Sequence, residues 1–462
     1  MRHSRRAAYL ALVIHLQCGC GVIGVACAQP DPLENGGSVA ELVETFFESP
    51  DRDRRRGLIG RIEEAANGSI GAVVEALSTV QLWHARGERE GALTVSAGST
   101  GVVRVAYHLP SAYDPARRYP VVFAMSSCAA SEKGCTLPGR EILRDVGEPL
   151  VLVCPTLPVD GSFHRDPPRE RAFRRLLRAV RRAFHVDTDR MYLWGGGSDG
   201  DAGWLAAIAH PHEFAGAIFV GSYLDVPYPE QMYPLLLGNL RSLPVLATWV
   251  DPGASSERSR VGVVAAHDRA MLAFARQQGL PITGKAVDPS RERPEGAVAA
   301  FKASAGELGD CLARTRVPPS RTVTHRFRYP DQGDAGWLRL TKFKGDVWEE
   351  EQLSILPSPL TDRDAYITSV LEEKLAYIGA TVEGQTITIE TRKCGKLEIL
   401  FPFGLIDFDK PVTIRVNGKR RHHGVIRPDI RTLLETTYET WDFQRLTPAQ
   451  LSISIRSDRK ER

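Results

Sequence analysis

The 462 residues contain no CxxC pair and no Cys/His cluster at metal-ligand spacing, so no zinc site can be read from them. They also lack a Gly-rich phosphate loop and a dinucleotide fingerprint, which leaves nucleotide cofactors without a seat; no cofactor is expected. An excess of one charge is missing as well. Against 59 basic residues stand 56 acidic ones, and outside the first 28 residues the balance is 56 to 56. That neutrality argues against nucleic acid or an acidic membrane as partner. Beyond the N-terminal segment no apolar run is long enough to span a bilayer. What is present is an ordinary globular composition, 43% hydrophobic and 25% charged, on a chain long enough for two or three domains.

The N-terminal segment has the form of a secretory signal. Arg2, Arg5 and Arg6 make a positive head, an apolar stretch follows to Val25, and Ala26-Cys27-Ala28 ends in the small residues that signal peptidase takes. His15 and Gln17 interrupt the run and speak for cleavage over a retained anchor. The mature protein is expected outside the cytoplasm, secreted or in the periplasm or cell envelope. Five cysteines then remain, an odd number that leaves at least one without a partner in the chain. Cys128 and Cys135 bracket a short loop where a bridge suits an oxidising compartment; buried free thiols are the other reading.

Organisation follows from periodicity. Residues 39–83 repeat apolar positions at helical spacing, as in Leu42, Val43, Phe46 and Phe47, and predict a helical prefix over 29–98 that packs on the next domain. Strands are expected at 102–108, 121–125, 150–153, 191–194, 215–220 and 245–250, and near 282–287; helices are expected at 171–184, 202–210 and 261–278. This alternation predicts an α/β domain over 99–318, with a doubly wound, mostly parallel sheet. On helix 171–184 Phe173, Leu176, Leu177 and Val180 form the apolar face, and the arginines read as its solvated face. From 319 to 462 strand-like alternation and the Asn417-Gly418 turn predict a small β-rich domain. Its basic knot, Lys419 to Arg421 with His422 and His423, reads as a charged hairpin tip.

One stretch suggests catalysis. In 191–204 (MYLWGGGSDGDAGW) a buried strand enters a Gly-rich turn and leaves as a helix, and Gly196-Gly197-Ser198-Asp199-Gly200 satisfies the GxSxG pattern of a nucleophile elbow. A serine there stands at a helix head, where free amides can hold an oxyanion. Together with the blocks at 113–124, 186–195 and 210–218, this stretch resembles the α/β-hydrolase superfamily. The nearest likeness is to secreted esterases of the polyhydroxybutyrate-depolymerase and feruloyl-esterase type, over residues 100 to 290. The resemblance implies a serine carboxylic-ester hydrolase acting on a small-molecule or polymeric ester. Its residues would be Ser198 as nucleophile, Asp251 as acid and, as histidine, His325.

Three departures support a second expectation, a catalytically inactive binding or scaffold protein of the cell envelope. Counted from Asp189-Arg190, the family spacing puts the nucleophile at Gly197; the oxyanion loop is Met125-Ser126-Ser127-Cys128 in place of His-Gly; and 288–319 contains no histidine. His325 belongs to the β-rich part and His267 to the preceding helix, while His210 and His212 read as structural and His164 as a cleft residue. When the full sequence is exported by a bacterial host, the mature chain is expected to begin near Gln29. N-terminal sequencing checks this, and an exported protein still starting at Met1 would contradict it.

Overall fold

A strand that is apolar along its whole length is stable only when both of its faces are covered. Three strands here bury every residue: β3 (Tyr119–Met125), β6 (Val151–Pro155) and β8 (Gly216–Val220). They lie inside an eight-stranded sheet completed by β1 (Glu90–Gly98), β2 (Gly101–His108), β7 (Val186–Gly196), β9 (Val245–Val250) and β10 (Ile282–Val287). The order is β1-β2-β6-β3-β7-β8-β9-β10, and only β2 runs against the others. The chain winds from β3 outward to β6, then returns to β7 on the other side of β3. That reversal opens a crevice at the carboxyl ends of β3 and β7, where open α/β sheets place ligands.

The computed structural model describes residues 37–98, 101–125, 130–131, 134–135, 149–156, 167–197, 200–226, 228–250, 260–287, 305–347 and 362–455. From Ser38 onward these form one compact unit; the signal segment lies outside the described residues. The sheet begins earlier than the periodicity indicates, because β1 lies within the stretch read as the helical prefix. Helices α4 (Pro167–Ala183), α5 (Asp201–Ala209), α6 (Pro229–Leu236), α7 (Arg260–Gln277) and α8 (Ala305–Leu312) complete this part. As expected, α4 buries Phe173, Leu176, Leu177 and Val180. Cys135, in a two-stranded hairpin of β4 (Ala130–Ser131) and β5 (Gly134–Cys135), is bonded to Cys154 of β6, with Cα atoms 5.8 Å apart. The bridge therefore does not join Cys135 to Cys128, because Cys154 on the adjoining buried strand already holds the thiol. Cys311 and Cys394 are free and buried.

The prefix forms α1 (Val39–Glu48), α2 (Arg52–Ala65) and α3 (Ile70–Thr79), each opened by a side-chain cap from Ser38, Asp51 or Ser69. Its contacts go to the β-rich part as well as to the domain that follows it. Phe47 meets Trp441 and Phe443 edge-on or tilted at 5.2 and 4.9 Å, and Trp83 stacks on His185 at 3.8 Å.

The β-rich part pairs two sheets over one apolar core that includes Phe327, Ile378, Ile389, Leu397, Ile399 and Ile414. One sheet is β11-β14-β15-β17-β18, with β11 (Thr322–Phe327), β14 (Ala376–Glu383), β15 (Thr386–Arg392), β17 (Pro411–Val416) and β18 (Lys419–Val425). The other is β12-β13-β16-β19, with β12 (Asp334–Ala335), β13 (Leu338–Phe343), β16 (Cys394–Phe401) and β19 (Ala449–Ser454). Asn417 and Gly418, both at positive φ, make the predicted turn between β17 and β18. Two helices, α9 (Arg363–Lys374) and α10 (Ile430–Thr440), interrupt the strands.

The two parts meet through an apolar contact, where α9 adds Ile367 and Leu371 to the core of the large sheet, and through a buried ionic seam. Arg316, 2% exposed, donates to Asp189 Oδ1 from Nε (3.1 Å) and Nη2 (2.9 Å), and from Nη2 to Asp442 Oδ2 (2.9 Å). Asp442 also accepts from Thr188 Oγ1 at 2.7 Å. Beside it Arg181 of α4, 3% exposed, pairs with Glu213. The arginines of α4 are therefore not all on a solvated face, because the β-rich part covers that side of the helix.

Burial by itself would raise the Glu213 and Asp442 carboxyls, but their arginines outweigh it; Glu213 is held down to about 2. A folded-state value below the unfolded 4.5 adds stability that is complete above about pH 4.5 and disappears as the pH falls towards 2. Arg316→Ala leaves Asp442 buried without its main partner, so a loss of about 3–5 kcal/mol is expected. Urea unfolding at pH 7 and acid titration check this; the variant should unfold at higher pH than the wild type, and equal stability would refute the seam's importance.

Candidate functional site

At the carboxyl end of β7 the chain must turn at once into α5, and the turn has room for little side chain. A Cβ on Gly200 would stand 2.3 Å from Ser222 Cβ, so only glycine lets the loop after β8 close on the head of α5. Gly197 holds φ +67, the left-handed conformation, with open space where a Cβ would be. Glycine is required there by the backbone and not by crowding.

Ser198 and Asp199 lie outside the described residues, as do Asp251, His164 and the loop 126–129. His325 is described, and the structure does not bring it to the elbow. It sits on β11, 1% exposed, with Nε2 donating to the Gln332 carbonyl at 2.6 Å and its ring stacked near Phe327. The neighbouring Arg326 is locked by Asn239, whose Nδ2 donates to the Arg326 carbonyl (2.8 Å) and to that of Ile208 (3.1 Å). Ile208 is in the last turn of α5, and Asp201 opens that helix at the elbow. A nine-residue helix is about 13 Å long, so the β11 backbone beside His325 is fixed near the opposite edge of the sheet. The sequence carries no sign of which edge of the sheet the β-rich part covers, and that edge decides where His325 lies.

The loop after β8 supplies groups that periodicity does not reveal. Ser222 is 3% exposed, its Oγ has no partner among the described residues, and it touches the elbow at Gly200. Next to it Tyr223 stacks on His267 of α7 at 4.4 Å. His267 Nδ1 lies 2.9 Å from Tyr233 Oη, and Oη donates its only proton to the Leu224 carbonyl at 3.1 Å. Nδ1 must therefore be the donor to Oη, which leaves the Nε2 lone pair available on a neutral ring. Burial lowers His267, with Asp225 opposing. Adjacent Asp268 has both carboxyl oxygens buried and unpartnered, and burial pushes it up to about 8. The only sequence signal for this group is the apolar flank of α7.

No protein-family model matches the chain, and no curated protein matches it. Solved structures do. A thermostable esterase is 16% identical with a TM-score of 0.38, covering 49% of this chain and 63% of its own. The feruloyl esterase module from Clostridium thermocellum, complexed with sinapinate, is 14% identical with a TM-score of 0.35, covering 50% and 90%. A putative dipeptidyl aminopeptidase IV from Bacteroides ovatus is 12% identical with a TM-score of 0.35, covering 49% and 36%. The chain thus spans less than two thirds of the first and about a third of the last. The sheet order, its single reversed second strand and the strand-turn-helix at β7 decide the architecture. The chain has the α/β-hydrolase fold.

In this hydrolase fold the two glycines have different duties, and substitution separates them. Gly200→Ala should cost about 1–3 kcal/mol by overpacking. Gly197→Ala should cost about 1–2 kcal/mol from the left-handed backbone alone. Adding Ser222→Gly should restore most of the first loss and none of the second; chemical denaturation of the four variants checks it.

Proposed function

We propose that this chain is an α/β-hydrolase-fold protein that binds its ligand without hydrolysing it, working outside the cytoplasm after removal of its signal. The observation that carries this reading is the φ of +67 at Gly197. A nucleophile elbow presents its reactive side chain from a strained residue of the turn. Here the left-handed residue among those described in the turn has no side chain. The position of His325, buried at the far edge with Nε2 engaged by a carbonyl, supports the same reading. Without a base a serine hydroxyl is a poor nucleophile at neutral pH.

The neutral ring of His267, with its Nε2 lone pair available, favours one second reading, a serine ester hydrolase. In that case Ser198 attacks the ester carbonyl while His267 Nε2, in place of His325, takes its proton and passes it to the departing alcohol; water then releases the acyl group, and Tyr233 Oη, not Asp251, holds Nδ1. Fluorophosphonate labelling decides between the two, because such probes react with a serine already served by a base and an oxyanion site. The mature protein is expected to stay unlabelled, like Ser198→Ala, and to turn over no p-nitrophenyl acetate above that variant. Labelling that is lost in both Ser198→Ala and His267→Ala would establish the esterase instead.

A further inference from the structure

Away from the elbow, a cavity of about 490 Å³ lies at the edge of the large sheet where β8 and β9 begin, walled by α4 on one side and by β11 and the β12–β13 turn on the other. That volume suits a small organic molecule. Its lining is unusual in charge. Among the described residues eight arginines and no lysine reach it, against four acids: Glu213, Asp334, Glu439 and Asp442.

These acids are already engaged. Glu213 is taken by Arg181, Asp442 by Arg316, Asp334 by Arg174 at 2.5 Å, and Glu439 by Arg339 at 2.9 Å. Arg175 turns away to the Ser96 carbonyl. Two arginines are left over, Arg178 and Arg241, and Arg445 is weakly paired. Arg178 lies over the Tyr438 ring at 4.9 Å, and its Nε is buried without a hydrogen-bond partner. Arg445 donates to the carbonyls of His212 and Val317 and shares Asp189, at 3.9 Å, with Arg316; burial and Arg316 lower it to about 10 against the pull of Asp442, Asp189 and Glu213. Arg241 stands exposed at the rim. In addition, Arg181, at 3% exposure, keeps Nε unpartnered.

Positions 174, 178 and 181 fall on one face of α4, so the helix presents a row of guanidinium groups to the cavity. Cations gathered in a partly desolvated space repel one another unless an anion joins them. Guanidinium forks match carboxylate and phosphate oxygens two at a time, and an ammonium group does not. Val317, Trp337 and Leu400 add apolar wall, which a purely inorganic ion would leave unused.

We propose that the cavity between α4 and the β-rich part is a binding site for a small organic polyanion, a molecule carrying two or more carboxylate or phosphate groups. The site lies at the edge opposite the elbow, so it does not depend on which reading of the elbow holds. Calorimetric titration of the mature protein with citrate, and separately with pyrophosphate, tests it at 20 and 200 mM NaCl. Saturable one-to-one binding of at least one probe is expected, weakening about tenfold or more at the higher salt. Stronger citrate binding assigns the site to carboxylates, and stronger pyrophosphate binding assigns it to phosphates. Arg178→Gln and the rim variant Arg241→Gln should each weaken binding by about tenfold, a change of about 1.4 kcal/mol. Arg241 is exposed, so its replacement leaves folding intact and keeps the test valid if Arg178→Gln is unstable. No saturable binding of either probe to the folded wild type, or unchanged affinity in Arg241→Gln, overturns the proposal.

Discussion

The guanidinium of Arg316 sits where the two halves of the protein meet, and the surrounding geometry is arranged around the need to satisfy it. An almost fully buried cation is tolerated only if its donors are met by fixed acceptors. Asp189 comes from the start of β7, Asp442 from just beyond α10, and the Arg316 amide itself donates to the Asp189 carbonyl at 2.7 Å. The same contact therefore fixes the strand that leads to the elbow, the linker into the β-rich part and the last helix. Relative movement of the halves would break several charge-assisted hydrogen bonds at once. Ser38 to Arg462 forms one compact unit, and α9 of the β-rich part adds Ile367 and Leu371 to the apolar core of the large sheet.

The two edges of the large sheet are covered differently. The carboxyl-end edge keeps the close glycine packing of a hydrolase elbow, with Ser222 and His267 in the loop and helix beside it. The other edge, which in an isolated sheet would face water, is roofed by β11 and the β12–β13 turn and lined with arginine. An accessory sheet that covers the starts of the strands adds a surface without disturbing the crevice at their ends.

Much of the large sheet was legible because strands buried on both faces carry uninterrupted apolar runs; the expected 121–125 lies within β3, and 215–220 covers β8. β1 was hidden because its sequence, EGALTVSAG, mixes small and polar residues and follows directly on three helices. α10 was overlooked although Ile430, Leu433, Leu434 and Thr437 bury one helical face, since strand alternation on both sides set the expectation. The site was less legible than the fold. Gly197 was visible as a register conflict, and its left-handed φ is something that the sequence does not print. The placement of His325 depended on which edge the β-rich part covers, and the role of the α4 arginines depended on the same contact. Neither is written in local periodicity.

Among the described residues β18 ends the five-stranded sheet, with β17 as its one neighbour. A strand in that position offers unpaired amides and carbonyls to any passing chain. Its sequence, KRRHHGV, opens with three consecutive cations, and Lys419 and Arg420 are exposed. A second copy approaching edge to edge in parallel register would set Lys419, Arg420 and Arg421 each against its own counterpart. In that register the charge of the basic hairpin opposes edge-to-edge pairing, and it does so without a ligand.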